Sequence, residues 1–167
     1  MRHQWGAFLV SCLMAVAGPA WAAGTVAVSF VSASRYSDAG TTRWDQEANL
    51  KVLDEHLQAL GKRFLRDGEV LKVEVLDVDL AGTPRPSRRD GSQVRIVKGG
   101  ADWPRVGLRY VLEVNGDFVR SAEVSVADMN YTRGFVGYRR FEPLAYEKNM
   151  LEKWFKANFA EGRAAAD

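Results

Sequence analysis

Cysteine and histidine are almost missing from this chain of 167 residues, which holds one Cys and two His. The cysteine, Cys12, and one histidine, His3, both lie in the first two dozen residues. Without that segment the chain has no disulfide, no thiol nucleophile and no thiolate metal ligand. His56 alone cannot build a multi-histidine zinc site. It sits in a helical stretch beside an apolar stripe, as a partly solvated helix histidine would, and a serine triad would need this one imidazole as its base. Charge of one sign is also lacking: the formal net charge is +2, so any electrostatic affinity must come from local clusters. No apolar run after residue 22 is long enough to cross a bilayer, which needs about 20 residues.

What is present begins with a leader. Arg2 and His3 precede an apolar run from Trp5 to Val16, Gly18-Pro19 breaks it, and Ala20-Trp21-Ala22 supplies small residues at the −3 and −1 positions of a signal-peptidase site. The expectation is a signal peptide over 1–22 and a periplasmic or secreted mature chain of 145 residues with formal charge +1. Export without disulfides suits a periplasm-like space. A lipobox-like Leu9-Val10-Ser11-Cys12 offers lipidation of Cys12 as the rival, but Leu13 to Ala17 stay apolar where a lipoprotein turns polar. About 150 residues suit one domain that buries roughly 70% of its unfolded surface. The expected division is 1–22 signal peptide, 23–160 single α+β domain and 161–167 frayed tail.

Periodicity then gives the elements. Val26, Val28 and Phe30 alternate in a strand over Thr25–Val31. Leu50, Leu53, Leu57, Leu60 and Phe64 put one apolar face on a helix from about Asp45 to Arg66, stopped by Asp67-Gly68. Val70–Leu80 is a second strand, with Leu71, Val73 and Val75 on one face. Ala81–Ser92, with two prolines, two glycines and three arginines, reads as a mobile loop. Val94–Val97 is a short strand, and Arg105–Val114 and Asp117–Val126 form a hairpin around Asn115-Gly116.

Keeping the apolar residues of both hairpin strands on one side predicts a three-residue loop with a Gly116 bulge. Leu112 then faces Phe118, Leu108 faces Ala122, and Arg120 lies awkwardly opposite Tyr110, near a sheet edge or snorkelling. Asp128–Glu142 is irregular and aromatic, and Pro143 opens a closing helix, Leu144–Phe159. The order β-α-β-β-β-β-α argues for a two-layer α+β sandwich: a mostly antiparallel sheet with two helices on one face.

Several fragments in this order resemble a family of small exported bacterial proteins, domain of unknown function 3016. They are Val26–Phe30 followed by Tyr36-Ser37-Asp38, then Asp77–Gly82, Ala101–Pro104, Asp128–Tyr131, Tyr146-Glu147-Lys148 and Leu151–Phe155. The resemblance implies an exported single domain and carries no activity, cofactor or metal with it.

Candidate sites come in three kinds. Asp77 and Asp79 share a strand face and could hold a hard cation or act as acid and base, or they could bond turn amides. Asp102 and Asp128 would strengthen the first reading if all four carboxylates converged. Trp103, at the start of a strand, could offer a flat ring to a sugar or peptide or cap a core edge. Asn130-Tyr131 could lead a binding loop or cover the open end of the sheet. The arginines, above all Arg85, Arg88 and Arg89, with Arg95 and Lys98 and with Arg133, Arg139 and Arg140 as candidates, carry forks suited to phosphate and carboxylate, or form a solvated loop. No aromatic is interleaved in the 85–89 run for base stacking, and an exported protein meets little nucleic acid. The expectation is a non-catalytic periplasmic module that binds an envelope component or a partner protein, without a cofactor or metal. A carboxylate-based or metal-dependent hydrolase and a structural envelope-stress protein are the alternatives.

Overall fold

The computed structural model describes residues 24–89, 93–133 and 142–161. The leader over 1–22, the aromatic stretch with Phe135, Tyr138 and Phe141, the pair Arg139 and Arg140, and the tail beyond 161 lie outside the described residues.

The observed order is β1 (Thr25–Phe30), a 3₁₀ turn (Ala33–Arg35), α1 (Arg43–Phe64), β2 (Glu69–Asp79), β3 (Thr83–Pro86), β4 (Gln93–Ile96), β5 (Arg105–Val114), β6 (Asp117–Ala127) and α2 (Ala145–Phe155), prolonged by a π-helical turn over Lys156–Glu161. The main sheet runs β1-β2-β5-β6; only the β1–β2 pair is parallel. Both helices cover the face formed by Leu71, Val73, Val75, Val106, Leu108, Tyr110 and Leu112, with Leu53, Leu57, Leu60, Leu151 and Phe155 completing the core. This is the α+β sandwich that the periodicity implied. Among the described residues no helix is long and apolar enough to cross a membrane.

Each element has a local cause. Thr42 starts α1 with a capping box: its hydroxyl accepts from the Asp45 amide at 3.1 Å and the Asp45 carboxylate accepts from the Thr42 amide at 3.1 Å. The closing helix starts later than the proline suggests. Leu144, at φ 52°, is the residue before it, and Pro143 belongs to the preceding turn.

The Ala81–Ser92 reading needs correction. Thr83–Pro86 is a strand paired antiparallel with Gln93–Ile96, in a separate two-stranded sheet. Pro84 and Pro86 occupy alternate positions, so the amides of Thr83 and Arg85 share one side of the strand and remain available to β4.

The hairpin also differs from the expected one. Asn115 (φ 55°) and Gly116 (φ 89°) form a two-residue turn, with Val114 opposite Asp117. The extra residue sits inside β6 instead: Glu113 pairs with Phe118 and Leu112 with Arg120, leaving Val119 as a bulge. Leu108 therefore faces Val124, not Ala122. The apolar residues still share one face because the bulge restores the parity that the short turn breaks. Arg120 does lie on that face, on the edge strand. Its guanidinium sits 5.7 Å from the Tyr110 ring centroid and 5.0 Å from that of Phe159, and donates to the Asn158 carbonyl at 2.6 Å.

Gly61 lets α1 approach β1: a Cβ there would overlap Val26 Cγ2. Gly61→Ala is expected to lose about 1 kcal/mol, as overpacking outweighs the gain in helix propensity. Val26→Ala removes the obstructing methyl, so a urea-denaturation cycle should show the double variant more stable than the sum of the two singles.

Candidate functional site

At one end of the sheet β2 changes the face its residues present. Leu71, Val73 and Val75 point into the core, and strict alternation would send Asp77 and Asp79 after them. A bulge at Leu76, between the pairs Val75–Leu108 and Asp77–Gly107, shifts the phase by one residue. Val78 and Leu80 then point into the core, and the two carboxylates turn outward.

Their partners differ. Asp77 accepts from the Ser37 amide and hydroxyl, both at 2.7 Å, while Asp79 accepts from Arg105 at 2.6 Å. Asp102 accepts from the Tyr131 hydroxyl at 2.7 Å, and Asp128 accepts from Lys153 at 2.8 Å and from the Asn130 amide at 3.0 Å. The four carboxylates do not converge, and no group of three or more potential metal-ligating residues occurs among the described residues. Of the sequence candidates, Asp102 and Tyr131 meet through their side chains, and Asp128 meets the backbone amide of its near neighbour Asn130. Tyr131 is buried, and burial, with Asp102 beside it, pushes its hydroxyl up to about 12. The same hydrogen bond holds the Asp102 carboxyl below its usual range. Trp103 is half-buried, and Arg85, Arg88 and Arg89 are exposed on the arm that contains β3. His56 is half-buried and its Nε2 lies 2.9 Å from the Lys148 carbonyl, tying α1 to α2.

The densest polar arrangement at this end involves two carboxylates that the sequence reading did not single out. Arg95, on β4, binds Asp38 through both terminal nitrogens, at 2.8 and 3.0 Å. The same guanidinium donates to the carbonyls of Gly82 at 3.0 Å, Leu80 at 3.4 Å and Ala81 at 3.5 Å. Beside it Glu147, buried in the first turn of α2, accepts from the Ala81 amide at 2.7 Å. Burial raises the Glu147 carboxyl above its ordinary range; the Ala81 amide and the Arg95 charge oppose this and Asp38 adds to it. Residues 80–82 are thus gripped from the β4 side by Arg95 and from the α2 side by Glu147. Asp38 is itself stitched to β2, its amide donating to the Val78 carbonyl at 2.8 Å and its carbonyl accepting from the Leu80 amide at 3.0 Å.

Next to this junction opens a cleft of about 740 Å³ lined by Tyr36, Ser37, Asp38, Gln46, Glu47 and Leu50, among others. Several of its walls are fixed. Tyr36 donates to the Val75 carbonyl at 2.7 Å, Gln46 donates to the Ala33 carbonyl at 2.6 Å, and the carbonyl of Ala39, another lining residue, accepts from Asn49 at 2.9 Å. A smaller pocket of about 150 Å³ shares Gly40 and Thr41 with the cleft and is lined by Arg95 and Pro84. Trp44, in the first turn of α1, is 82% exposed. At 100° per residue it falls opposite the leucine stripe, a signal that the sequence does carry.

The fragments Tyr36–Asp38, Asp77–Gly82, Ala101–Pro104, Asp128–Tyr131 and Tyr146–Lys148 contribute residues to this set of contacts. Over residues 24–157 the chain matches the family described as protein of unknown function DUF3016. It belongs to that family. No curated protein and no solved structure matches the chain. In this DUF3016 chain several of those fragments meet around Asp38, Glu147, Asp102 and Tyr131, with Arg95 bonding Asp38 from β4.

Two predictions follow from the junction's chemistry. Arg95→Ala should lower stability by about 2 kcal/mol in urea denaturation, less than a fully buried pair because both partners are partly exposed. It should also make the arm carrying Arg88 and Arg89 a target for trypsin in the native state. Glu147→Gln keeps an acceptor for the Ala81 amide without the buried charge. A folded-state pKa above the unfolded one means that the folded chain binds more protons, so this contribution to stability falls as pH rises from the ordinary carboxylate range through the raised value. Melting curves should show the Gln variant more stable than wild type at pH 7.5, with the difference shrinking toward pH 4.

Proposed function

We propose that this DUF3016 protein is an exported, non-catalytic binding module that recognises anionic groups of the cell envelope. Export rests on the leader, with cleavage after Ala22 and release into a periplasm-like space. Binding rather than catalysis is supported by one observation above the others. Asp77, Asp79, Asp102 and Asp128 each bond a different partner, whereas a shared cation or an acid–base pair needs carboxylates around one pocket.

The binding face is the arm built on β3 and β4. Arg85, Arg88 and Arg89 are exposed there, while Arg95 on the opposing strand turns inward and anchors the arm through Asp38. Three exposed guanidinium forks on an anchored support suit phosphate or carboxylate acceptors. The cleft and the exposed ring of Trp44 lie near the first turn of α1, beside the second pocket into which β3 and β4 contribute Pro84 and Arg95. They give a ligand extending from the arm a polar hollow and a flat apolar surface.

The test is cosedimentation of the mature protein with phosphatidylglycerol vesicles and, separately, with purified peptidoglycan sacculi. Binding to one of them, reduced about tenfold or more by the combined change of Arg85, Arg88 and Arg89 to Ser and weakened by salt, supports the proposal. The melting temperature should not change, since these side chains are exposed. Failure to bind either, or binding indifferent to the triple change, overturns it.

A further inference from the structure

β6 is an outer strand of the main sheet and eleven residues long. Half of its amides and carbonyls point away from β5, toward a place where a further strand would lie. Natural edges are protected by prolines, charged residues or bulges; this one has a bulge at Val119 and an inward-facing Arg120, both near the turn, and from Ser121 to Ala127 it has no proline, lysine or bulge. From Ser121 to Ala127 the outward face is Ser121, Glu123, Ser125 and Ala127, small apart from one glutamate. Exposed apolar residues flank it: Phe118 (66%) and Val119 (50%) at one end and Met129 (68%) beyond the other. The core-facing Ala122 and Val124 stay half-buried, so the core lacks cover at this rim. A groove of about 440 Å³ runs beside it between β6 and α2, lined by Val126, Met150 and Trp154 among others.

We propose that β6 pairs antiparallel with β6 of a second copy of this chain, about a twofold axis at Val124. Residues opposite each other in a sheet point to the same face, so only axes centred on a residue are allowed. With the axis at Val124, Ala122 meets Val126, Glu123 meets Ser125, Arg120 faces Asp128 and Val119 faces Met129. Val119 and Met129, exposed at opposite ends, cover each other, and opposite charges align. With the axis at Glu123, two glutamates meet across it. With the axis at Ser125, Arg120 faces Asn130 and the charge pairing is lost. Arg120 and Asp128 keep their internal partners, Asn158 and Lys153, which fix both groups at the ends of the paired region. The chain then forms one continuous eight-stranded sheet, and the second copy's strand closes the open side of the groove.

Ser125 gives a test with two opposite signs. It is exposed and opposes Gly107 within its own sheet, so a longer side chain there meets no internal obstacle. Ser125→Glu places two Glu–Glu pairs across the axis, and Ser125→Lys places two Lys–Glu pairs. Sedimentation velocity of the mature protein up to about 100 μM should show a dimer. The dimer should weaken about tenfold with Ser125→Glu and tighten with Ser125→Lys. Hydrogen exchange should show β6 amides more protected as concentration rises. A wild-type chain that stays monomeric throughout overturns the proposal, as does a dimer that responds alike to both substitutions. Neither outcome depends on the anionic ligand, so failure here leaves that reading standing.

Discussion

A single extra residue in β2 governs where the charges of this domain go. Leu71, Val73 and Val75 need the core face, and so do Val78 and Leu80, which unbroken alternation cannot provide. The bulge at Leu76 reconciles the two sets. Without it Asp77 and Asp79 would enter the apolar layer, at a cost of several kcal/mol for each unpaired charge. With it Asp77 reaches back to Ser37 and fixes the chain leaving β1, while Asp79 reaches Arg105 across the sheet. The bulge at Val119 does the same for β6, where a tight Asn115-Gly116 turn alone would have set Leu108 opposite Glu123. Both bulges act across β5, whose regular alternation is the reference for its two neighbours.

Past the bulge, the chain from Asp79 to Gly82 leaves the sheet, and its backbone polar groups need new partners. Arg95 supplies donors to three carbonyls, Glu147 accepts from the Ala81 amide, and the Asp102 carbonyl accepts from the Gly82 amide at 2.9 Å. Those three residues come from β4, α2 and the approach to β5. The end of the sheet is therefore closed by side chains satisfying backbone. Its carboxylates are bonded partners in a structural junction, which explains why acidic fragments so prominent in the sequence form no shared cation site among the described residues.

Legibility followed the range of the interactions. The leucine stripe of α1, the alternation of β5 and the apolar parity of the hairpin are local patterns and could be read directly. Trp44 also lies off that stripe, but the expected helix began at about Asp45 and left it out. Local rules failed where two answers share a parity: a three-residue turn and a two-residue turn with a bulge both keep the apolar faces together. They failed again at Pro84 and Pro86, whose lack of amide donors suggested a loose loop. Their alternate spacing is compatible with an outer strand, but the anchor, Arg95 on Asp38, joins residues 57 apart in sequence. Glu147 is a first-turn carboxylate, a place where the helix dipole alone favours an acid. Its burial against Ala81 is a tertiary fact that no helical period encodes.

Placement separates the two surfaces. The cationic arm is held by Arg95 at the closed end of the sheet, where β2 leaves and β5 begins, and its arginines point to solvent. The edge of β6 lies two strands from β2, with its exposed apolar residues at its own ends. A dimer formed through that edge would leave both arms uncovered and fix them in one assembly. Two anchored arms on one body raise the effective concentration of the second arm once the first has bound, an advantage on a repeating anionic surface that a single weak patch of three arginines lacks.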